Sequence, residues 1–211
     1  MRDCLPAAVN KRRNTFWGKG RKRMKALGIV GSPRKGGNTE ILTAHALKAI
    51  AEEGIETELI PLAGLDIRGC TGCMACLNAE MCSIKDDMWP IYEKMKAADG
   101  IIIATPVYFS SATSLVRGLM ERAGYVSQKN GKTLKGKVGG PLVVARRGGH
   151  NFTKAQMDYW FHILEFTMPG AVYWNMAFGR EKGEVLNDQE GLDTAWSFAK
   201  NMAELMKKLC A

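Results

Sequence analysis

The chain has 211 residues, of which 46% are hydrophobic, enough to bury a core in one domain of ordinary size. A formal net charge of +9 raises nucleic acid or an acidic membrane as a partner, yet eight lysines and arginines lie within residues 1–23 against Asp3 alone. The remainder carries an ordinary surface balance and no apolar run long enough to span a bilayer, which argues against both partners for the folded body.

Residues 1–23 lack the apolar region of a secretory signal. Met24 immediately precedes the first strand and reads as a natural start, leaving 1–23 as a basic, disordered extension and 24–211 as one domain. Lys25 to Val30 is a short apolar run ending at Gly31, the pattern of a buried strand. From Thr39 to Glu53, Leu42, Ala46, Ala49 and Ile50 share one helical face, with Gly54 as the stop. Ile55 to Leu62 reads as a second strand, followed by a cysteine-rich loop at about 69–83. Pro90 suits the first position of a helix running to about Ala98. Gly100 to Thr105, with three consecutive isoleucines, reads as a central parallel strand.

Ala112 to Ala123 is expected to be helical and Lys137 to Ala145 a fourth strand. Thr153 to Met168 reads as a helix whose Met157, Trp160, Phe161, Leu164 and Met168 stripe is core or a subunit interface. Gly170 to Trp174 is the expected fifth strand, and Asp193 to Leu209 the closing helix. Such alternation implies right-handed crossovers and a parallel sheet covered on both faces. The expected fold is a flavodoxin-like doubly wound α/β domain with strand order 2-1-3-4-5, its ligand at the carboxyl ends of the strands where the order reverses.

Cys70, Cys73, Cys76 and Cys82 fall within thirteen residues. The first three repeat at x₂ spacing, as in the bacterial ferredoxin run, and the fourth follows after x₅. A cubane iron–sulfur cluster takes one thiolate per iron from different directions, and a tightly wound loop with a cysteine every third residue can wrap it. Gly69, Gly72 and Ala75 let the backbone pass close to such a group. Structural zinc is more often held by two separated pairs, but spacing alone does not identify a metal, so a zinc knuckle and a set of redox thiols stay open. Ser83 stands where the ferredoxin run has proline, which makes Cys82 the least secure ligand. Clustered cysteines without a secretory signal favour a reducing, cytoplasmic setting and metal ligation over disulfides. Cys4 and Cys210 receive no role.

Three loops complete the candidate chemistry. Gly31 to Thr39 joins the first strand to the first helix: Ser32, Asn38 and Thr39 supply donors, Arg34 a fixed charge, and Gly37 an open backbone at a helix N-terminus. The loop lacks both the Lys-Ser/Thr of a triphosphate site and the G-x-G-x-x-G of a dinucleotide site. A single terminal phosphate, as in FMN, suits it. Pro106, Val107, Tyr108 and Phe109 follow the central strand, where stiff backbone and aromatic surface could run along an isoalloxazine ring. Arg147, Gly148 and Gly149 follow the fourth strand, where a guanidinium or backbone N–H groups would favour the negative charge of reduced flavin. Arg146 reads equally well as a solvated turn residue, and His45 and His162 as packing residues on helices.

Taken together, Gly31-Ser32-Pro33-Arg34 with Gly37-Asn38-Thr39, Thr105-Pro106-Val107-Tyr108-Phe109 and Arg147-Gly148-Gly149 resemble the NAD(P)H-dependent FMN reductase group of flavodoxin-like proteins. With the four cysteines and the following Asp86-Asp87-Met88, the chain is similar to the iron–sulfur flavoprotein family from Met24 onward. The resemblance implies one FMN and one 4Fe–4S cluster per subunit, a homodimer or homotetramer, and electron transfer from ferredoxin to a small acceptor. The alternatives are a cluster-free NAD(P)H-dependent FMN or quinone reductase and, from another class, a zinc-bearing regulatory module on the same scaffold.

Overall fold

The computed structural model describes residues 23–77 and 79–209, so Cys4, Cys210 and all of the basic extension except Arg23 lie outside the described residues. Five strands form one parallel sheet in the order β2-β1-β3-β4-β5, with β1 at Lys25–Val30, β2 at Glu56–Pro61, β3 at Gly100–Pro106, β4 at Val138–Ala145 and β5 at Met176–Phe178. The helices are α1 (Asn38–Glu52), α2 (Met88–Ala97), α3 (Ser114–Lys129), α4 (His150–Ile163) and α5 (Gln189–Leu209).

Strand periodicity divides the core. On β3, Ile101 and Ile103 point to a layer built by α2, α3 and α4, packing with Met95, Leu119, Ala123 and Phe161. Ile102 and Ala104 point the other way, toward α1 and α5, with Leu42, Ile50, Phe198 and Met202. All four β3 residues are fully buried, which accounts for the unbroken apolar run of a strand covered on both faces. Fully burying one such isoleucine contributes about 1.5–3 kcal/mol relative to leaving it exposed.

The last strand differs from expectation. The apolar run before it is exposed at Val172, Tyr173 and Trp174, whereas Met176 and Ala177 are buried and pair with Val143 and Val144. An edge strand of three residues is selected by register against β4, and the stretch expected from apolarity, 170–174, ends before this strand begins. α4 also begins and ends before its apolar stripe suggests: it starts at His150, stops at Ile163, and Glu165 takes φ 60. The chain then passes Thr167 along the start of β4, with its N–H donating to the Lys137 carbonyl at 2.9 Å. Pro90 is the third helical residue of α2 rather than the first, a position whose missing N–H has no intrahelical acceptor to lose. α3 runs to Lys129, six residues beyond the stretch its sequence marks, and His45 packs against Trp196 with ring centroids 5.0 Å apart.

Candidate functional site

The carboxyl ends of β1, β3 and β4 open onto one cavity of about 300 Å³, at the lower end of small-molecule sites. Ser32, Arg34, Gly37, Asn38 and Thr39 line it from the first loop, Pro106, Val107 and Tyr108 from the second, and Val144 and Arg146 from the end of β4. Gly179, Arg180 and Lys182, which follow β5, close the remaining side. Four cations and no carboxylate face this space, a lining made for an anion.

The loop after β1 is pre-shaped. Ser32 Oγ accepts the Arg34 N–H at 3.2 Å, and Glu40 Oε2 accepts the Gly36 N–H at 2.7 Å. Gly37 caps α1 with no side-chain hydrogen bond, so the first helical N–H groups have no capping side chain beside the cavity. Asn38 has another task. Its Nδ2 donates to the Glu181 carbonyl at 2.8 Å, and its Oδ1 accepts from Gly183 N at 2.8 Å and Val185 N at 3.5 Å. The side chain read from sequence as a phosphate donor therefore straps the 179–185 segment across the loop. That strap carries Lys182, whose Nζ would lie 3.0 Å from a Cβ at Gly36.

The second and third loops are locked together. Tyr108 and Ser111 exchange backbone hydrogen bonds at 2.9 and 3.0 Å, and the two residues between them are left-handed, Phe109 at φ 49 and Ser110 at φ 57. A two-residue mirror-image turn without glycine stores strain of about 1–3 kcal/mol per residue, which persists where surroundings over-determine it. Phe109 is fully exposed at the tip and does not line the cavity. Gly149 caps α4 at φ 82, and a Cβ there would meet Ser110 Oγ at 2.7 Å and Val107 Cγ1 at 3.0 Å. Arg147, Gly148 and Gly149 thus lie outside the lining; the guanidinium in it belongs to Arg146, left ambiguous by sequence alone.

All four loop cysteines are free and line a second, small pocket of about 30 Å³. Gly72 and Met74, at φ 67 and φ 57, turn the backbone between them. The Gly72 N–H donates to Cys70 Sγ at 3.4 Å, and Cys73 Sγ lies 3.2 Å from Ser83 Oγ. That Ser83 contact, joined by the Ala75 backbone and the Thr71 side chain, holds the Cys73 thiol below its ordinary pKa. The lining contains thiols and neither imidazole nor carboxylate. These four soft thiol donors, with the Thr71, Ser83 and Tyr125 hydroxyls beside them, fit a thiolate-held cluster. Among the described residues, no three His, Cys, Asp or Glu side chains stand close enough to hold a single ion.

Arg122 is the residue that sequence reasoning missed here. It is 1% exposed on the buried stripe of α3 between Leu119 and Val126, where a charged residue is itself a signal. Its Nε donates to Cys82 Sγ at 3.2 Å, its Nη1 to Asp86 and to the Arg68 carbonyl, and its Nη2 to the Ile84 carbonyl at 3.0 Å. Burial pushes the Asp86 carboxyl up, but Arg122 and the Arg68 and Met88 N–H groups outweigh it and hold the acid below its usual range. Burial likewise disfavours the charged guanidinium, and Asp86 and Cys82 more than compensate.

The model of the NADPH-dependent FMN reductase family matches residues 24–181. The chain belongs to this family. It is accordingly a flavin-dependent oxidoreductase on a flavodoxin-like fold. An iron–sulfur flavoprotein of Methanocaldococcus jannaschii is 42% identical over 87% of the chain and 98% of that protein. One from Methanosarcina thermophila is 36% identical over 87% of the chain and 96% of its own length. Among solved structures, RosB with bound 8-demethyl-8-formylriboflavin-5′-phosphate superposes with a TM-score of 0.70 at 21% identity, over 88% of this chain and 80% of that one. An archaeal flavodoxin gives 0.58 at 13% identity over 87% and 99%, a likeness of fold. Among the described residues no helix is long and apolar enough to cross a membrane.

Proposed function

We propose that this protein is a cytoplasmic electron-transfer flavoprotein that carries FMN in the cation-lined cavity and a 4Fe–4S cluster on Cys70, Cys73, Cys76 and Cys82. The observation that carries the reading is the lining of the small pocket: four free thiols from one short loop, on a domain whose sheet opens a separate anion-attracting cavity. The named relatives support it. A cluster supplies electrons singly and a flavin can hand them on as a pair, which suits a one-electron donor such as ferredoxin and a small two-electron acceptor. NAD(P)H is the alternative donor that the family description supports.

In this reading the chain's own residues position and tune. The α1 N-terminus, Ser32, Thr39, Arg34 and Lys182 hold the phosphate. Pro106, Val107 and Tyr108 form one wall for the ring, and Arg146 stabilises negative charge at its polar edge. Gly149, with Gly148 and Arg147 beside it, fixes the second loop from behind. The exposed Phe109, Phe152, Tyr159 and Ile163 supply apolar surface for a homodimer or homotetramer. The domain begins at Met24, where the family match also begins, and the basic extension is dispensable for both cofactors.

The test is cofactor analysis of anaerobically purified protein. Iron and acid-labile sulfide in the ratio of one 4Fe–4S cluster per FMN are expected, with Cys→Ser at 70, 73, 76 or 82 lowering both and leaving FMN in place. Flavin with no iron or sulfide, reduced rapidly by NAD(P)H, would replace this reading with a cluster-free reductase. Zinc without flavin would replace it with the regulatory module.

A further inference from the structure

α3 and its C-cap residue Asn130 grip the cysteine loop at three points. Glu121 Oε2 accepts the Cys70 N–H at 3.2 Å, Asn130 Nδ2 donates to the Cys76 carbonyl at 3.1 Å, and Arg122 Nε donates to Cys82 Sγ at 3.2 Å. Two of these contacts are to backbone. The third touches a sulfur, and it comes from a fully buried guanidinium.

We propose that Arg122 is the positioning and potential-tuning residue of the cysteine site: it fixes the Cys82 sulfur against α3 and raises the reduction potential of the cluster held there. The inference rests on the cluster reading above. Its first support is completeness. The guanidinium reaches Cys82, Asp86 and the carbonyls of Arg68 and Ile84, which lie on both sides of the cysteine run. The loop's two limbs are therefore tied through one side chain. The distant fourth cysteine, weakly specified by spacing, is the one that receives this anchor.

Its second support is electrostatic. Reduction adds one negative charge to a cluster and its thiolates, and a hydrogen-bond donor on a ligating sulfur favours the reduced form. The guanidinium and Asp86 are both without side-chain exposure, so neither is screened by solvent. The pair is neutral overall, which makes the directed Nε–H bond and the nearer positive charge the tuning elements, and Asp86 their counterweight. Lysine at 122 has one ammonium and cannot serve Cys82, Asp86 and two carbonyls together.

The experiment is an EPR-monitored redox titration of anaerobically purified wild type, Arg122→Lys and Asp86→Asn, with iron and FMN measured on the same samples. Arg122→Lys is expected to shift the cluster potential to more negative values, and Asp86→Asn to more positive values, while the flavin couple stays in place. Opposed shifts cannot arise from general loosening of the loop. The double variant Arg122→Gln/Asp86→Asn leaves no unpaired buried charge and covers a single variant that does not fold; it is expected to shift negative. Loss of iron with full FMN and an unchanged melting temperature also supports the anchoring role. Wild-type potentials in fully loaded variants, same-direction shifts in both single variants, or joint loss of iron and FMN in the double variant overturn the proposal. Wild-type protein that holds FMN without iron or sulfide overturns the cluster reading itself, and the inference with it.

Discussion

Asn38→Ala separates a direct phosphate ligand from a structural strap. The substitution removes the acceptor for Gly183 N and Val185 N and the donor to the Glu181 carbonyl. Water can replace the Gly183 partner at the surface, but the bond to Val185 is buried. One buried group left unsatisfied costs about 1–3 kcal/mol. For a domain of this size that lowers the melting temperature by about 2–12 °C. The freed strap carries Arg180 and Lys182 away from the cavity. Losing one charge-assisted bond to the phosphate corresponds to roughly tenfold to just over a hundredfold in FMN affinity. Flavin titration of the deflavinated variant, with riboflavin as the phosphate-free control, and a thermal melt read the two effects together. Weaker FMN binding at an unchanged melting temperature would refute the strap and return Asn38 to the phosphate; no change in either would refute both roles.

Lys182→Gln is expected to weaken FMN by about tenfold and riboflavin hardly at all, since an exposed strand of chain delivers the charge and the low end of charge-assisted bonding applies; equal losses for both flavins would remove Lys182 from the phosphate. Gly149→Ala forces a left-handed alanine into Ser110 Oγ and Val107 Cγ1, and about 1–2 kcal/mol of backbone strain alone predicts a lower melting temperature together with poorer flavin retention. A variant with wild-type stability and flavin content would show that the second and third loops are not coupled there. Glu53 is held at a pKa of about 2 by hydrogen bonds from Lys200 and Lys207, below the ordinary 4.5. Its contribution is therefore complete above pH 4.5 and is lost as pH falls toward 2, so Glu53→Gln is expected to flatten the decline in melting temperature across that window. Parallel declines would mean that the pairs Glu53 makes with Lys200 and Lys207 do not stabilise the fold.

Much of the fold was legible because its signals are local. Three isoleucines between small residues read as a strand buried on both faces, and Gly31 and Gly54 mark where β1 ends and α1 stops. The parallel sheet followed from alternation and handedness, its order from the fit of five strands to the flavodoxin-like arrangement, and the thiol pocket from the spacing of Cys70, Cys73, Cys76 and Cys82. Where elements depend on a distant partner, local signals misled: β5 lies at 176–178 because β4 offers its edge there, although a longer largely apolar stretch precedes it. The same separation runs through the sites. Sequence identified the loop that contains Asn38, but its amide turns to a strap 143 to 147 residues away, and only folding brings that strap across. Arg122 lies forty residues from Cys82 and reaches it because α3 packs beside the cysteine loop. Local sequence determines which backbone can turn and which side chains can ligate; which of those side chains remain free for a ligand is decided by contacts that exist only after the sheet has closed.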